Sequence, residues 1–479
     1  MLSSKTLHNE AILDVAGHSN ITFLLYSDTN AANLKHKLGQ AEYSYYFVRE
    51  QFRTLLEKHA NVIVVTQPEI QVDALYDAQR AKGMDCVLLA FCPPHKMPPP
   101  TRCPTVVVFA WEFDTIPTET WDFDARNDWR TVLARLGHAI THSTYSALAV
   151  KAAMGSDFHV ESMPAPVWDG YAIDRQSLPY RPLHEPVAID FLGTFLDSNR
   201  LPPTYRLFSR APRRTLAERL KVKKRVARLK RNLRKLAGQS PKPPPLPVRK
   251  RVQLEFGGVV FISVFCPVDG RKNWTELVTA FCSSLSDCPD ATLILKFVGA
   301  DCSVAMSEVG NILVRLPPFK CRVIAIDGFL DDDCYRRLIT ASTYAVNCSL
   351  AEGQCLPLME AMSCGKPVLA PPHTGMSEYV DRDVGFPLRS SRELCSWPHD
   401  PRGALRAHRY RGDWQSLTEA YREAYLVAKD QPEQYRKMSR AAATRMQGYC
   451  SQEVVYGKLL RFLAEVPALS RADAGRDAA

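Results

Sequence analysis

Residues 349–380, SLAEGQCLPLMEAMSCGKPVLAPPHTGMSEYV, decide the fold class of this chain. The apolar run YAVNCS leads into this stretch and predicts a buried strand, and the polar LAEG piece predicts a loop. A helix is expected to begin at about Gln354 and to end at Gly365. Residues 367–370 then predict another strand. Strand, helix and strand in this order form a βαβ unit, so the sequence predicts an α/β fold with a parallel sheet.

The same stretch carries two glutamates, Glu352 and Glu360, eight residues apart. The start of a helix presents free backbone N–H groups and a partial positive charge, which suit a phosphate. Gly353 permits close backbone approach at this turn. Glu360 lies about two helical turns beyond Glu352 and could accept two hydrogen bonds from a ribose diol. The alternative interpretation is an ordinary βαβ unit with two surface glutamates.

The string EG-x-x-LP-x-x-E-AM-x-CG-x-P-V, with its Glu-x7-Glu pair, resembles the signature of glycosyltransferase family 4, the large group of retaining GT-B enzymes. The resemblance implies two doubly wound Rossmann-like domains facing a cleft. It also implies that a nucleotide-sugar donor binds in the C-terminal domain and that the anomeric configuration is retained. Glu352 would then orient the donor sugar. The other donor-binding residues implied by this stretch are Glu360, Gly353, Gln354, Cys355 and Leu356.

The resemblance extends on both sides of the signature. Residues 324–349 are similar to the family's preceding segment, in which a glycine turn, here Gly328-Phe329-Leu330, lies beside the nucleotide base. Residues 373–378 (HTGMSE) are similar to the loop that follows the signature, with Gly375 and Glu378 in the usual places.

Residues 264–281 resemble the first strand, loop and helix of the family's donor domain, where an Arg and a Lys bind the diphosphate. The Lys is carried over to Lys272. The Arg position falls on Cys266 or Pro267, so we expect the adjacent Arg271 to supply the second charge. A solvated Arg-Lys pair at a helix start is the alternative. The sequence assigns Glu352, Lys272 and Arg271 to catalysis.

The N-terminal half alternates buried strands with amphipathic helices and fits an acceptor domain. Strands are predicted at 21–26, 62–66, 86–90, 106–110 and 138–142, and helices at 45–59, 72–82 and 143–155. Trp111, Glu112 and Asp114 follow a strand at the cleft side, and an aromatic ring beside carboxylates suits sugar binding. A structural loop explains them equally well. His142, like His138, is a further acceptor-side candidate, although a packed or surface histidine is the simpler interpretation.

The middle of the chain is strongly basic. Residues 200–251 contain 19 Lys and Arg against one acidic residue, so the net charge of +10 comes from this segment. Residues 216–236 place Leu, Val and Ala at helical spacing among the basic residues, and the proline-rich PKPPPLPVRK follows. We interpret 196–252 as a basic, Pro-rich insert. An anionic membrane surface, a solvated linker and, least of all, a nucleic acid are the three interpretations of it.

A length of 479 residues fits two domains. We assign 1–195 to an acceptor-side domain, 253–466 to a nucleotide-sugar domain and 467–479 to a disordered tail. No run is apolar enough to span a membrane, and residues 1–10 lack the order of a secretory signal. The sequence therefore predicts a cytoplasmic protein that is peripheral at the inner face of the cytoplasmic membrane. The 14 cysteines show no metal-binding spacing and are expected to be reduced and buried.

The leading function is transfer of a sugar from a nucleotide-sugar to a saccharide or lipid-linked saccharide acceptor, in cell-surface polysaccharide or lipopolysaccharide biosynthesis. No DxD-type acidic motif stands at the donor site, so the sequence predicts no essential metal and no cofactor beyond the nucleotide-sugar co-substrate. A non-catalytic GT-B-like subunit that binds a nucleotide-sugar or scaffolds an assembly is the alternative. The sequence leaves open the donor sugar, the base (UDP or GDP), the acceptor and the linkage.

Overall fold

The computed structural model describes residues 20–40, 42–177, 184–201 and 249–466. The predicted helix at 216–236 and the predicted tail at 467–479 lie outside these ranges. All 14 cysteines fall inside them, and all are buried free thiols, as predicted. The described residues form two α/β domains, each built on its own sheet.

The N-terminal sheet is parallel and takes the order β2-β1-β3-β4-β5-β6. Its apolar runs are buried because helices cover both faces, as is usual for parallel sheets. The strands are β1 (Ile21–Tyr26), β2 (Asn61–Val65), β3 (Asp85–Phe91), β4 (Thr105–Phe109), β5 (His138–Thr141) and β6 (His159–Ser162). The helices are α1 (Leu34–Lys37), α2 (Ser44–Leu56), α3 (Pro68–Arg80), α4 (Trp129–Leu136), α5 (Thr144–Met154) and α6 (Ala172–Ser177).

The C-terminal sheet has parallel pairings that run β10-β9-β8-β11-β12-β13, the order of a Rossmann domain. Its strands are β7 (His184–Asp197), β8 (Lys250–Phe265), β9 (Ala291–Phe297), β10 (Arg322–Phe329), β11 (Tyr344–Val346), β12 (Val368–Ala370) and β13 (Gly385–Pro387). The helices are α7 (Trp274–Ser284), α8 (Ser303–Leu313), α9 (Asp332–Thr340), α10 (Leu356–Ser363), α11 (Trp414–Asp430), α12 (Pro432–Cys450) and α13 (Gln452–Glu465). Two doubly wound domains confirm the predicted GT-B class.

Strand β7 departs from the predicted domain division. It pairs antiparallel with β10 and with the first half of β8, so it belongs to the C-terminal sheet. The predicted N-terminal domain ran to residue 195, and the predicted insert covered residues 196–252. The strand went unpredicted because its apolar residues are interrupted by Glu185, Pro186 and Asp190 and form no continuous buried run. The remaining domain limits stay predictions.

Helix α13 follows the C-terminal domain along the chain but packs on the N-terminal one. Tyr456 stacks on His59 with ring centroids 4.0 Å apart, and Phe462 stacks on His159 at 4.7 Å. Val455, Leu459 and Phe462 share one apolar core with the N-terminal strands. Helix α13 therefore ties the two domains together. No described helix combines the length and the apolar character needed to cross a bilayer.

Candidate functional site

The candidate site lies where the strand order of the C-terminal sheet reverses, between β8 and β11. Ligands of such sheets bind at this switch point, beyond the carboxyl ends of the strands. The loop after β8 carries Lys272, and the loop after β11 carries Asn347 and Glu352. Lys272 Nζ donates to Glu352 Oε1 at 2.6 Å, and Asn347 Nδ2 donates to the same oxygen at 3.2 Å. The structure thus brings together the two residues that the sequence assigned to catalysis from distant segments.

Charge compensation sets the ionisation of this pair. Burial disfavours the charged form of Glu352, but Lys272 and Arg271 outweigh it and hold the pKa of the carboxyl below its usual range. Burial also opposes charge on Lys272, and the Glu352 carboxylate outweighs it and raises the pKa of the ammonium. Both groups are therefore ionised at neutral pH. A buried ion pair at a switch point is a structurally costly arrangement, which is typical of functional sites.

Arg271 joins the two domains at this site. It pairs with Glu112, which follows β4 in the N-terminal domain, and with Asp269 Oδ2 at 2.7 Å. Burial lowers the pKa of the Arg271 guanidinium, and the two carboxylates more than reverse that effect. Burial raises the pKa of Glu112, although Arg271 opposes the rise. The sequence predicted Glu112 as an acceptor-side residue. The structure shows it in an ion pair with Arg271 of the C-terminal domain.

The loop after Glu352 approaches the N-terminal domain closely. A Cβ on Gly353 would lie 3.1 Å from Ala110 Cβ and 3.3 Å from Trp111 N, so a glycine fits best there. Gln354 Oε1 accepts a hydrogen bond from Ala165 N of the same domain at 3.0 Å. The close approach expected of Gly353 is thus made to protein backbone.

The predicted start of the signature helix is wrong by two residues. Helix α10 begins at Leu356, because Cys355 has a φ of 56° and its left-handed conformation cannot continue a helix back to Gln354. Cys355 accepts a hydrogen bond at Sγ from Asn347 Nδ2 at 3.1 Å. The N-terminus of α10 consequently lies beside the Lys272–Glu352 pair.

The loop at residues 373–378 holds the backbone of Glu352 by hydrogen bonds. Thr374 Oγ1 accepts from Glu352 N at 3.0 Å, and Gly375 N donates to Glu352 O at 3.0 Å. A Cβ on Gly375 would lie 2.2 Å from Gly353 O, so no other residue fits without moving the backbone. Glu378 accepts from Thr144 N at 2.6 Å and so caps helix α5 of the other domain.

Glu360 lies on α10, away from the charged pair. Its Oε2 accepts a hydrogen bond from the Tyr335 hydroxyl at 2.7 Å. Burial raises the pKa of Glu360 to about 7, although Tyr335 and Arg336 lower it. The carboxyl of Glu360 is therefore partly protonated near neutral pH, whereas the carboxyl of Glu352 is ionised.

The structure corrects the prediction of a glycine turn at Gly328-Phe329-Leu330. Gly328 and Phe329 end strand β10, where they pair with Gly193 and Leu192 of β7, and Leu330 follows the strand. A Cβ on Gly193 would lie 2.5 Å from Gly328 Cα, so the two glycines allow unusually close strands. The turn was expected from the family resemblance, and the structure has a strand paired with β7 in its place. A role of these residues beside a nucleotide base stays a prediction.

The remaining acceptor-side candidates make structural contacts, and their role toward an acceptor stays a prediction. Trp111 is 2% exposed and packs against Trp129 at 4.5 Å between centroids. His142 is fully buried, and its Nδ1 lies 2.9 Å from Met163 O. Burial lowers its pKa to about 4, so it is neutral at physiological pH. Asp114 accepts from His408 N at 2.9 Å.

His408 belongs to an unpredicted element, the strap hairpin, defined as residues 390–412. It consists of β14 (Ser390–Ser396) and β15 (Leu405–Gly412) and leaves the C-terminal domain after β13. Thr115 Oγ1 donates to Arg406 O at 2.7 Å, and Trp397 Nε1 donates to Thr115 Oγ1 at 3.0 Å. Arg406 pairs with Glu119 at 2.6 Å. The strap hairpin therefore fastens the loop after β4 to the donor side. Neither strand shows a regular alternation of apolar and charged residues, so the hairpin carries little sequence signal for a strand pair.

A second missed contact involves the loop after β1. Ala300 N donates to Leu38 O at 3.1 Å, and a Cβ on Gly39 would lie 2.9 Å from Gly299 Cα. Gly39 has a φ of 76°. This glycine therefore lets the segment between β1 and α2 pack against the C-terminal domain.

Glu42, His95 and His399 offer three ligand atoms within 4.8 Å of one another. Two contacts compete with a metal ion there. The Trp129 indole donates to His95 Nδ1 at 3.1 Å, so the proton of the neutral ring lies on Nε2. Lys96 also pairs with Glu42. Burial lowers the pKa of His399 to about 4, which leaves an uncharged imidazole at the cleft.

Residues 258–395, which contain the switch-point loops, match the family model described as Glycosyl transferases group 1. No curated protein matches the chain.

Among solved structures, the chain is similar to Anabaena HepE in complex with UDP and glucose, at 14% identity over 94% of this chain and 100% of that chain, with a TM-score of 0.44. It is similar to sucrose-phosphate synthase from Thermosynechococcus elongatus, at 13% identity over 92% and 98%, with a TM-score of 0.47. It is also similar to a glycosyltransferase from Rickettsia africae, at 11% identity over 94% and 98%, with a TM-score of 0.49.

Proposed function

We propose that this protein is a retaining glycosyltransferase that moves a sugar from a nucleotide-sugar to a saccharide or lipid-linked saccharide. The observation that carries the proposal is the buried Lys272–Glu352 pair at the switch point, 2.6 Å apart, at the N-terminus of α10. A pyrophosphate and a sugar need a cation, free backbone N–H groups and a carboxylate within one small volume. This site offers all three.

Bond cleavage at the anomeric carbon leaves negative charge on the departing diphosphate. In the proposed mechanism Lys272, Arg271 and the N-terminus of α10 neutralise that charge with groups that are already in place. Glu352 orients the hydroxyls of the donor sugar, and Glu360 holds the ribose. We propose front-face attack, in which the acceptor oxygen bonds to the anomeric carbon on the side that the diphosphate leaves. The acceptor proton passes to the leaving phosphate oxygen. Because the new bond forms on the face that the diphosphate leaves, the anomeric configuration is retained, and no metal is essential.

Release of the nucleotide tests the proposal. The purified full chain is incubated with UDP-glucose, UDP-N-acetylglucosamine and GDP-mannose in turn, and free UDP or GDP is measured. We expect slow release from one donor, and a loss of about a hundredfold or more in Glu352→Gln, because a preorganised group at the reacting sugar is removed. Tight nucleotide binding without release from any donor would instead favour the non-catalytic subunit.

We further propose that the basic segment 216–236 brings the enzyme to an anionic membrane surface, where lipid-linked acceptors of cell-surface polysaccharide or lipopolysaccharide lie. Each basic residue near such a surface contributes about 1 kcal/mol. Deleting residues 216–236 should abolish binding to vesicles that contain anionic lipid and leave nucleotide release unchanged. Equal vesicle binding by the deleted and intact chains would refute the membrane role.

A further inference from the structure

We propose that Tyr335 is a positioning residue for the nucleotide: its hydroxyl fixes one oxygen of Glu360 so that the other faces the ribose diol of a nucleoside diphosphate. The inference rests on the proposed function of this site. It adds a residue that none of the sequence motifs singled out, on a helix, α9, whose only expected contribution was its acidic start.

The hydrogen bond between the two side chains is short and partly buried. The Tyr335 hydroxyl donates to Glu360 Oε2 at 2.7 Å. Among the described residues, no protein group hydrogen-bonds Oε1 of Glu360. A carboxylate that is held at one oxygen keeps its plane, so the free oxygen presents its lone pairs in a fixed direction.

The tyrosine ring is itself held rigidly. Helix α9 is anchored through its buried face, formed by Cys334, Leu338 and Ile339, and Asp331 Oδ1 caps it by accepting from Cys334 N at 2.8 Å. The Tyr335 ring packs against the main apolar core. A phenol on a capped and packed helix can therefore set the orientation of a side chain on α10.

Charge around Glu360 gives the contact an electrostatic consequence. Burial raises the pKa of Glu360 to about 7, and the Tyr335 hydroxyl is the foremost group that opposes the rise, because it donates to the ionised form. The groups that face Glu360 are Asp332, Tyr335 and Arg336 from α9, Tyr171 from the 3-10 turn Trp168–Tyr171, Tyr43 before α2, and Cys364 at the end of its own helix. Arg336 is paired with Asp174 at 2.7 Å.

Loss of the hydroxyl should therefore weaken nucleotide binding in a pH-dependent way. In the intact protein about half of Glu360 is ionised near pH 7. If Tyr335→Phe raises the pKa by about one unit, only about a tenth stays ionised, and the affinity for a ribose diol falls about fivefold at pH 7. Because the carboxylate is fully ionised above the new pKa, most of the affinity should return near pH 9.

The experiment is calorimetric titration of the full chain with UDP, or with GDP if the unaltered chain prefers it, between pH 6 and pH 9. The 2′,3′-dideoxy form of the same nucleotide lacks the diol and is titrated in parallel. Tyr335→Phe should weaken binding of the natural nucleotide about fivefold at pH 7, shift its pH profile to higher pH, and leave binding of the dideoxy form unchanged. The matched control is Tyr425→Phe, which removes a similar hydrogen bond, at 2.6 Å to Asp290, far from the site.

Two results would overturn the inference alone: an unchanged pH profile in Tyr335→Phe, or equal weakening of the natural and dideoxy nucleotides. In Glu360→Gln, which cannot ionise, the natural and dideoxy nucleotides should show the same pH dependence, set by the titration of the diphosphate itself, and the added Tyr335→Phe should have no effect. A further loss in that double variant would likewise contradict the positioning role. If the unaltered chain binds neither UDP nor GDP, the proposed function falls first, and the inference falls with it.

Discussion

Replacing Lys272 with methionine should destabilise the C-terminal domain by about 3 kcal/mol. Glu352 is 5% exposed and would lose the ammonium 2.6 Å away, which leaves a buried charge without its main partner. Breaking a buried pair in this way typically costs about 3–5 kcal/mol. The lower end applies here, because the Asn347 amide still donates to the carboxylate at 3.2 Å and Arg271 lies nearby.

Differential scanning calorimetry would measure the loss. At about 2–4 °C per kcal/mol for a domain of this size, the transition of the C-terminal domain should fall by about 6–12 °C. The added change Glu352→Gln removes the unpaired charge, so the double variant should recover most of that loss. Lys320→Met, at an exposed lysine, is the control and should melt like the unaltered protein.

Two outcomes would refute this reasoning. A Lys272→Met variant that melts within about 2 °C of the unaltered chain would mean that the buried pair makes no net difference to stability. A double variant less stable than Lys272→Met would mean that Glu352 is held by groups other than Lys272.

Two further predictions concern the domain interface. Glu112→Gln should tighten binding of UDP or GDP about tenfold in calorimetric titration, because a buried carboxylate no longer competes with the diphosphate for Arg271. Weaker binding would show that Glu112 is needed to orient Arg271. Gly353→Ala should cost about 1–3 kcal/mol in chemical denaturation, because its Cβ would press on Ala110 at 3.1 Å. Gly412→Ala, where a Cβ meets nothing within 4 Å, is the control, and equal losses in both variants would contradict the steric argument.

The sequence predicted the buried strands well, because continuous apolar runs leave little choice of structure. Both ends of strand β1 were predicted correctly. Ser143 and Gly155 flank helix α5 at its two ends as expected, and Ser143 Oγ accepts a hydrogen bond from Ser146 N. Strands without a continuous apolar run were the failure. Glu185, Pro186 and Asp190 interrupt β7, and charged residues stand among the apolar ones in both strands of the strap hairpin, so only their pairing shows them to be strands.

For the candidate site, too, the sequence predicted features that a local pattern records and missed contacts between distant segments. Spacing within one segment identified Glu352 and Glu360, and the family resemblance identified Lys272, which the structure places against Glu352. Contacts between the two halves of the chain could not be predicted, because no local pattern records them. Glu112 on Arg271 falls in this group. The contact of Tyr335 with Glu360 lies within the C-terminal half, between two helices, and no local pattern records it either.

The strap hairpin has a consequence for protein engineering. Exchange of donor domains between related enzymes is a natural route to new sugar specificities, and the cut would ordinarily fall in the connection between the two sheets. Here the C-terminal domain carries a hairpin whose partners, Asp114, Thr115 and Glu119, belong to the other half. A chimera that takes a foreign donor domain would leave these partners unmatched. Residues 111–121 and 390–412 therefore form one transplantable unit, although they lie nearly 300 residues apart in the chain.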